Sequence, residues 1–175
     1  MAQAQLFHIP SSFSATLDVN HMSASLRSIR GPVLALDLGK KRVGVALSDE
    51  LLISIRRLPP IARSNWKKLL ADVAALIQRF DAQTVVIGLP LNLDGSQGPA
   101  ASAAAEIARK FSLSLTVPVF LQDERLSSVE ANERLRREGL DTEEIKRAID
   151  SEAAVVVLRD FLAITQDQDR AVFEG

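Results

Sequence analysis

No cysteine occurs among the 175 residues, and the two histidines, His8 and His21, both fall before the first strand that the pattern predicts. The missing thiols exclude a disulfide framework, a thiolate metal site and a cysteine nucleophile. They are compatible with a reducing cytoplasm, where the chain is expected to reside. A Ser-His-Asp triad or a His-rich zinc site would require the first thirty or so residues to fold back over the core. Chemistry here falls to carboxylates, lysines, hydroxyls or a bound metal. Charge of one sign is also missing. Lys and Arg number 21 against 22 Asp and Glu, so any contact with nucleic acid must come from a local patch rather than a basic field. No apolar run approaches the length of a bilayer, the longest lying near Ala153 to Leu158, and no membrane partner is expected. The length suits one domain with a real core and is too short for two large lobes around a cleft.

Residues 1–30 carry scattered serines and little periodicity, which predicts a flexible tail with Met22 as an alternative start. Residues 31–165 form the expected domain and residues 166–175 a second flexible tail. Strands are expected at 33–38, 43–48 and 51–57, joined by short turns and therefore antiparallel. Asn65 can cap a helix in which Trp66, Leu69, Leu70, Val73, Ile77 and Phe80 recur at helical spacing. Thr84-Val-Val-Ile-Gly-Leu-Pro90 is a continuous apolar strand of the kind buried on both faces, hence central and parallel. An alanine-rich helix is expected over 100–111 and a fifth strand over 117–122. Ser127-Ser-Val-Glu130 reads as a capping box opening a helix that stops at Gly139, and a last helix runs from Asp141 to Leu162. The fold class is α/β: a three-layer mixed five-stranded sheet, its first three strands antiparallel and the rest parallel, with helices on both faces.

Asp37 ends an apolar strand and points into the Gly39 turn, where it either caps the turn through backbone contacts or holds a cation. The fifth strand ends in Asp123-Glu124, and sites in open α/β sheets form at the carboxyl ends of strands. Successive strand residues point to opposite faces, so only one of this pair can share the side of Asp37. The other would pair with Arg125 or cap the helix at Ser127. Asp150 falls on the apolar stripe with Ala153, Ala154, Val157 and Phe161, so it needs a partner, either Lys146 or a metal. Glu152 falls on another face, expected to be solvated. Three carboxylates without a histidine suit hard oxygen-loving cations, Mg²⁺ or Mn²⁺, which can activate water against a phosphodiester. Lys40, Lys41, Arg42 and Arg125 can meet phosphate. The glycines of the Gly88 to Gly98 loop let backbone N–H groups approach an anion, although a turn with a Ser96 cap explains that stretch equally. Arg134, Arg136 and Arg137 form a basic face that is expected to be solvated.

Four ordered motifs resemble one family: Asp37-Leu-Gly-Lys-Lys-Arg-Val-Gly-Val-Ala46, Gly88-Leu-Pro-Leu-Asn-Leu-Asp-Gly-Ser96, Asp123-Glu-Arg-Leu-Ser-Ser128 and Asp150-Ser-Glu-Ala-Ala154. They are similar to the YqgF family of pre-16S rRNA nucleases, also described as Holliday-junction-resolvase-like. The resemblance implies an RNase H-like fold, divalent-metal phosphodiester cleavage and trimming of the 5′ end of the small-subunit rRNA precursor. It also implies precursor rRNA or branched DNA as partner, with ribosomal particles as a further one and a monomer or weak homodimer as the assembly. Carried over by position, Asp37, Glu124 and Asp150 become the catalytic, metal-holding acids, with Asp123 the weaker candidate, and Arg42, Asn92 and Arg125 face the substrate. Ser127 and Ser128 stand where threonines are common. Alternatives are a junction resolvase using the same residues and a nucleic-acid-binding factor without turnover. An Asp-x-Gly hairpin also opens the sugar-kinase and actin-like ATPase fold, but no second phosphate-binding glycine turn appears between Ile61 and Gly175.

Overall fold

In a computed structural model of the chain, residues 6–8, 29–92, 94–124, 137 and 151–165 are described. Six strands form one sheet: β1 (Leu6–His8), β2 (Val33–Leu38), β3 (Arg42–Ser48), β4 (Ile55–Ala62), β5 (Thr84–Leu89) and β6 (Val119–Asp123). Their spatial order is β1-β6-β5-β2-β3-β4. The β2–β3–β4 meander is antiparallel, β5 runs parallel to both β2 and β6, and β1 adds antiparallel to β6. Helices α1 (Trp66–Phe80) and α2 (Pro99–Ser114) precede β5 and β6, and the chain is helical again over 151–165, here α3.

Alternation along the strands sorts the core into two faces. Leu34, Leu36, Val45, Val85, Ile87 and Leu121 pack with Leu69 and Val73 of α1 and with Ala104, Ala108 and Phe111 of α2. Val33, Ala35, Ala46, Val86 and Phe120 pack with Ala154, Val157, Leu158 and Phe161 of α3. The sheet therefore lies between two helical layers, with β5 beside β2 at its centre, as expected of the apolar run over 84–90. Asn65 caps α1 as its position suggests, its side chain accepting the Lys68 N–H at 3.0 Å. Pro99 opens α2, where its missing N–H costs nothing. Among the described residues no helix is long and apolar enough to cross a membrane.

Two expectations need correcting. The third strand, placed at 51–57, starts four residues later, at Ile55, and runs through Pro59 and Pro60 to Ala62. Asp49 is the cause. Its carboxylate accepts the Ile53 N–H at 2.7 Å and the Ser54 hydroxyl at 2.9 Å, and it closes a turn with Leu52 at φ 60°. These bonds hold its carboxyl below the usual range, and Leu51 and Ile53 are left exposed at the tip. The prolines are tolerated because β4 is an edge strand, and they sit where its register with β3 slips between Val43 and Val45. Leu6–His8, within the expected tail, adds a sixth strand to the five anticipated. The rest of residues 1–28 lies outside the described residues, as do residues 166–175 and all of the helix expected over 127–139 but Arg137, which is helical.

Candidate active site

Asp37 is the fifth residue of β2 and pairs with Gly44 of β3. On its other side runs β5, where Leu36 pairs with Ile87, so the position beside Asp37 is Gly88. Gly88 in turn pairs with Gln122 of β6. These three positions share the α3 face of the sheet, as does Glu124, two residues beyond Gln122. Asp123 has the opposite parity and is buried on the side of α1 and α2. The choice between the two neighbouring acids thus falls on Glu124 by strand alternation.

Glu124 reaches back over Gly88. Its backbone N–H donates to Leu89 O at 3.1 Å. A Cβ at position 88 would overlap Glu124 Oε2 and stand 2.7 Å from its Cδ and 3.2 Å from Val157 Cγ2. The gap left by this one missing side chain is filled by the carboxylate. Sequence reasoning gave Gly88 a different use, as a backbone donor to an anion. Only the cross-strand register, which seats Gly88 beside Asp37, reveals its actual one.

The pair is electrostatically loaded. Burial, then the Asp37 charge and hydrogen bond, then the Asp123 charge, push the Glu124 carboxyl up to about 9. Glu124 Oε2 is buried without a hydrogen-bond partner. Two negative charges are therefore disfavoured here without a counter-charge, whether a proton or a cation. A divalent cation in the proton's place would neutralise both, and an all-oxygen donor set suits Mg²⁺ or Mn²⁺. Gln122 joins this face unannounced by any motif: its side chain is fully buried and its Oε1 also lacks a partner.

The third acid expected, Asp150, lies outside the described residues, as does Arg125. Among the described residues no three acids or histidines converge as a metal-holding group. The residue after Asp150 is tied to the sheet: Ser151 Oγ donates to Leu58 O at 2.8 Å. Leu58 pairs with Val45, which pairs with Leu36, so Ser151 is held on the strand row next to Asp37. Glu152 is not solvated as expected; it is 1% exposed and faces Arg57 Nη1 at 3.4 Å.

Lys40, Lys41 and Arg42 are exposed along the β2–β3 turn directly after Asp37. Asn92 organises its own loop. Its Nδ2 donates to Ser96 Oγ at 2.8 Å, Ser96 Oγ donates to Asp94 Oδ1 at 2.6 Å, and the Asn92 N–H meets Ser96 O at 2.9 Å. The Ser96 bonds hold the Asp94 carboxyl below its usual range.

Residues 31–164 match the family model described as RuvX, Holliday junction resolvase. A relative from Anaeromyxobacter sp. (strain Fw109-5) is 42% identical over 129 residues, covering 74% of this chain and 94% of that protein; its name assigns it provisionally to the pre-16S rRNA nucleases. A relative from Syntrophus aciditrophicus (strain SB), with the same provisional name, is 36% identical over 137 residues, 78% of this chain and 91% of its own. Among solved structures, Thermus thermophilus RuvC in complex with a Holliday junction substrate superposes with a TM-score of 0.51 at 16% identity, covering 77% of this chain and 96% of that one. That likeness carries the RNase H-like resolvase fold alone. With its motifs, its matched length and its relatives in agreement, the chain belongs to the RuvX family, the YqgF group that its four motifs resemble.

Proposed function

We propose that the chain is a divalent-metal-dependent nuclease that hydrolyses phosphodiester bonds and trims the 5′ end of the pre-16S rRNA in the cytoplasm. The observation that carries the reading is the Asp37–Glu124 pair, two carboxylates pressed together on one sheet face with a buried oxygen that has no partner. A like-charged pair of this kind is destabilising for a merely structural purpose and suits a cation site. Asp37 and Glu124 would hold Mg²⁺ or Mn²⁺, with Asp150 as third acid; the anchoring of Ser151 on Leu58 supports that place for it. When bound, such ions supply an activated water and charge stabilisation for the leaving oxygen. The chain's own part is to hold the two carboxylates side by side on one sheet face, where a cation's charge would favour their ionisation, and to steer phosphates along Lys40, Lys41 and Arg42, with Arg125 as a further cation. Asn92 contributes by shaping the loop that leads into α2.

A second reading, a resolvase acting on branched DNA with the same acids, is favoured by the description of the matching family. Cleavage of a precursor rRNA fragment and of a four-way DNA junction, with Mn²⁺ or with EDTA, separates the two. RNA cleavage lost in EDTA and in Asp37→Asn is expected. Junction cleavage without RNA cleavage would replace the first reading by the second, and activity untouched by Asp37→Asn would overturn both.

A further inference from the structure

Arg63, one residue past β4, reaches across to the turn that follows Asp37. Its Nη1 donates to Gly39 O at 2.8 Å and to Leu38 O at 3.2 Å, and its backbone N–H donates to Lys41 O at 3.0 Å. The Gly39 N–H, in turn, donates to Asp37 O at 3.1 Å. A single residue more than twenty positions downstream thus provides the donors for three carbonyls of the segment joining Asp37 to β3. The guanidinium is half-buried, and no carboxylate among the described residues pairs with it.

This arrangement is unusual on charge grounds. Lys40, Lys41 and Arg42 already crowd the turn with like charge, and a further cation adds to their repulsion. Surface economy alone would favour a neutral donor. A guanidinium, however, is a planar group with a fixed fork of donors, so one nitrogen that serves two successive carbonyls fixes the relative tilt of two peptide planes. Those planes set the direction in which the chain leaves Asp37.

We infer that Arg63 is a positioning residue: by clamping Leu38, Gly39 and Lys41 it orients the Asp37 carboxylate towards Glu124 and holds the Lys40 to Arg42 run along the same edge of the sheet. The inference rests on the metal-site reading of Asp37 and Glu124 and extends it to a residue that touches neither acid. It also accounts for the placement of a cation where only backbone carbonyls receive it.

The test uses the full chain and Mn²⁺ alone as probe. Arg63→Ala and Arg63→Lys are compared with wild type by circular dichroism, by Mn²⁺ titration followed through the free-ion EPR signal, and by amide exchange at Gly39. Arg63→Ala is expected to keep its secondary structure, to exchange faster at Gly39 and to bind Mn²⁺ about 10-fold more weakly, as losses of supporting contacts behind metal ligands do. Arg63→Lys should fall between the two, and millimolar guanidinium should restore part of the affinity of Arg63→Ala without changing wild type. Wild-type Mn²⁺ affinity and wild-type exchange at Gly39 in Arg63→Ala would overturn the inference. If Arg63→Ala does not fold, Arg63→Lys is decided by the same two measurements. If wild type itself binds no Mn²⁺, the metal reading fails, and exchange at Gly39 alone decides whether Arg63 clamps the turn.

Discussion

Glu124 occupies the space that a side chain on Gly88 would need: a Cβ there would overlap Oε2 and stand 2.7 Å from Cδ. The smallest substitution at position 88 must therefore move the carboxylate or the strand. Because Val157 Cγ2 stands 3.2 Å away on the remaining side, little room exists for relaxation. Gly88→Ala is expected to weaken Mn²⁺ binding by about 10- to 100-fold and to lower stability by about 1–3 kcal/mol through overpacking. Calorimetric titration and urea unfolding check the two effects, and full Mn²⁺ affinity in a folded Gly88→Ala would show that the Glu124 carboxylate is not a ligand.

Removing the charge of Glu124 should stabilise the metal-free protein in a pH-dependent way. Its carboxyl is pushed up to about 9 from an ordinary 4.5, so the folded state holds a proton that the unfolded chain releases. The stability that this proton contributes is complete below the unfolded value and declines as pH rises from there towards 9. Glu124→Gln has nothing to lose over that window. It should match wild type near pH 4.5 and exceed it by about 1–3 kcal/mol in the alkaline part of the range, the usual size of an unsatisfied buried polar group. Thermal unfolding in EDTA across pH tests this. Mn²⁺ should restore stability to wild type and not to Glu124→Gln.

The exposed lysines and the loop asparagine should separate in their salt response. Lys40→Ala and Lys41→Ala are each expected to reduce the slope of log affinity against log salt by about 1 for a nucleic-acid fragment. Asn92→Ala should leave that slope unchanged, since its amide is engaged with Ser96, and should lower stability by about 0.5–1.5 kcal/mol. A reduced slope in Asn92→Ala would instead make it a phosphate contact.

Arg57 and Glu152 give a further test, at the join between β4 and α3. Glu152 is buried and Arg57 is partly open to solvent, so Arg57→Leu removes a counter-charge from a buried carboxylate. A loss of about 1–3 kcal/mol is expected, below the range for a fully buried pair because solvent screens the arginine. Arg57→Leu combined with Glu152→Leu should recover much of it. An additive double mutant would show that the two do not interact.

Much of this site could be read before any coordinates, because strand alternation is a rigid rule. Given an apolar β2 ending in Asp37 and an apolar β6 ending in Asp123-Glu124, parity leaves room for one acid beside Asp37. The α1 cap at Asn65 and the parallel pairing of β5 were equally local matters of side-chain chemistry and burial. What escaped depended on partners distant in sequence. Asp49 draws Ile53 and Ser54 into a turn that breaks an otherwise strand-like apolar run. Leu6–His8 show no periodicity and become a strand only because β6 presents an open edge. Glu152 looked solvated on a helical wheel, but every residue from 151 to 158 is buried. Gly88 and Arg63 take their roles from cross-sheet register, to which sequence motifs are blind.

The consecutive prolines of β4 bear on how copies of the chain can assemble. Pro59 and Pro60 have no N–H to donate and lie where the register with β3 slips, so the strand is locally bent and its ladder interrupted. A second molecule therefore cannot extend the sheet there with an unbroken hydrogen-bond ladder. Continuous sheets running across a dimer axis are disfavoured at this border, and a partner meeting it would pack through helices or loops. Two copies meeting there would be set apart by side-chain packing, a spacing that can change without touching the sheet that carries Asp37.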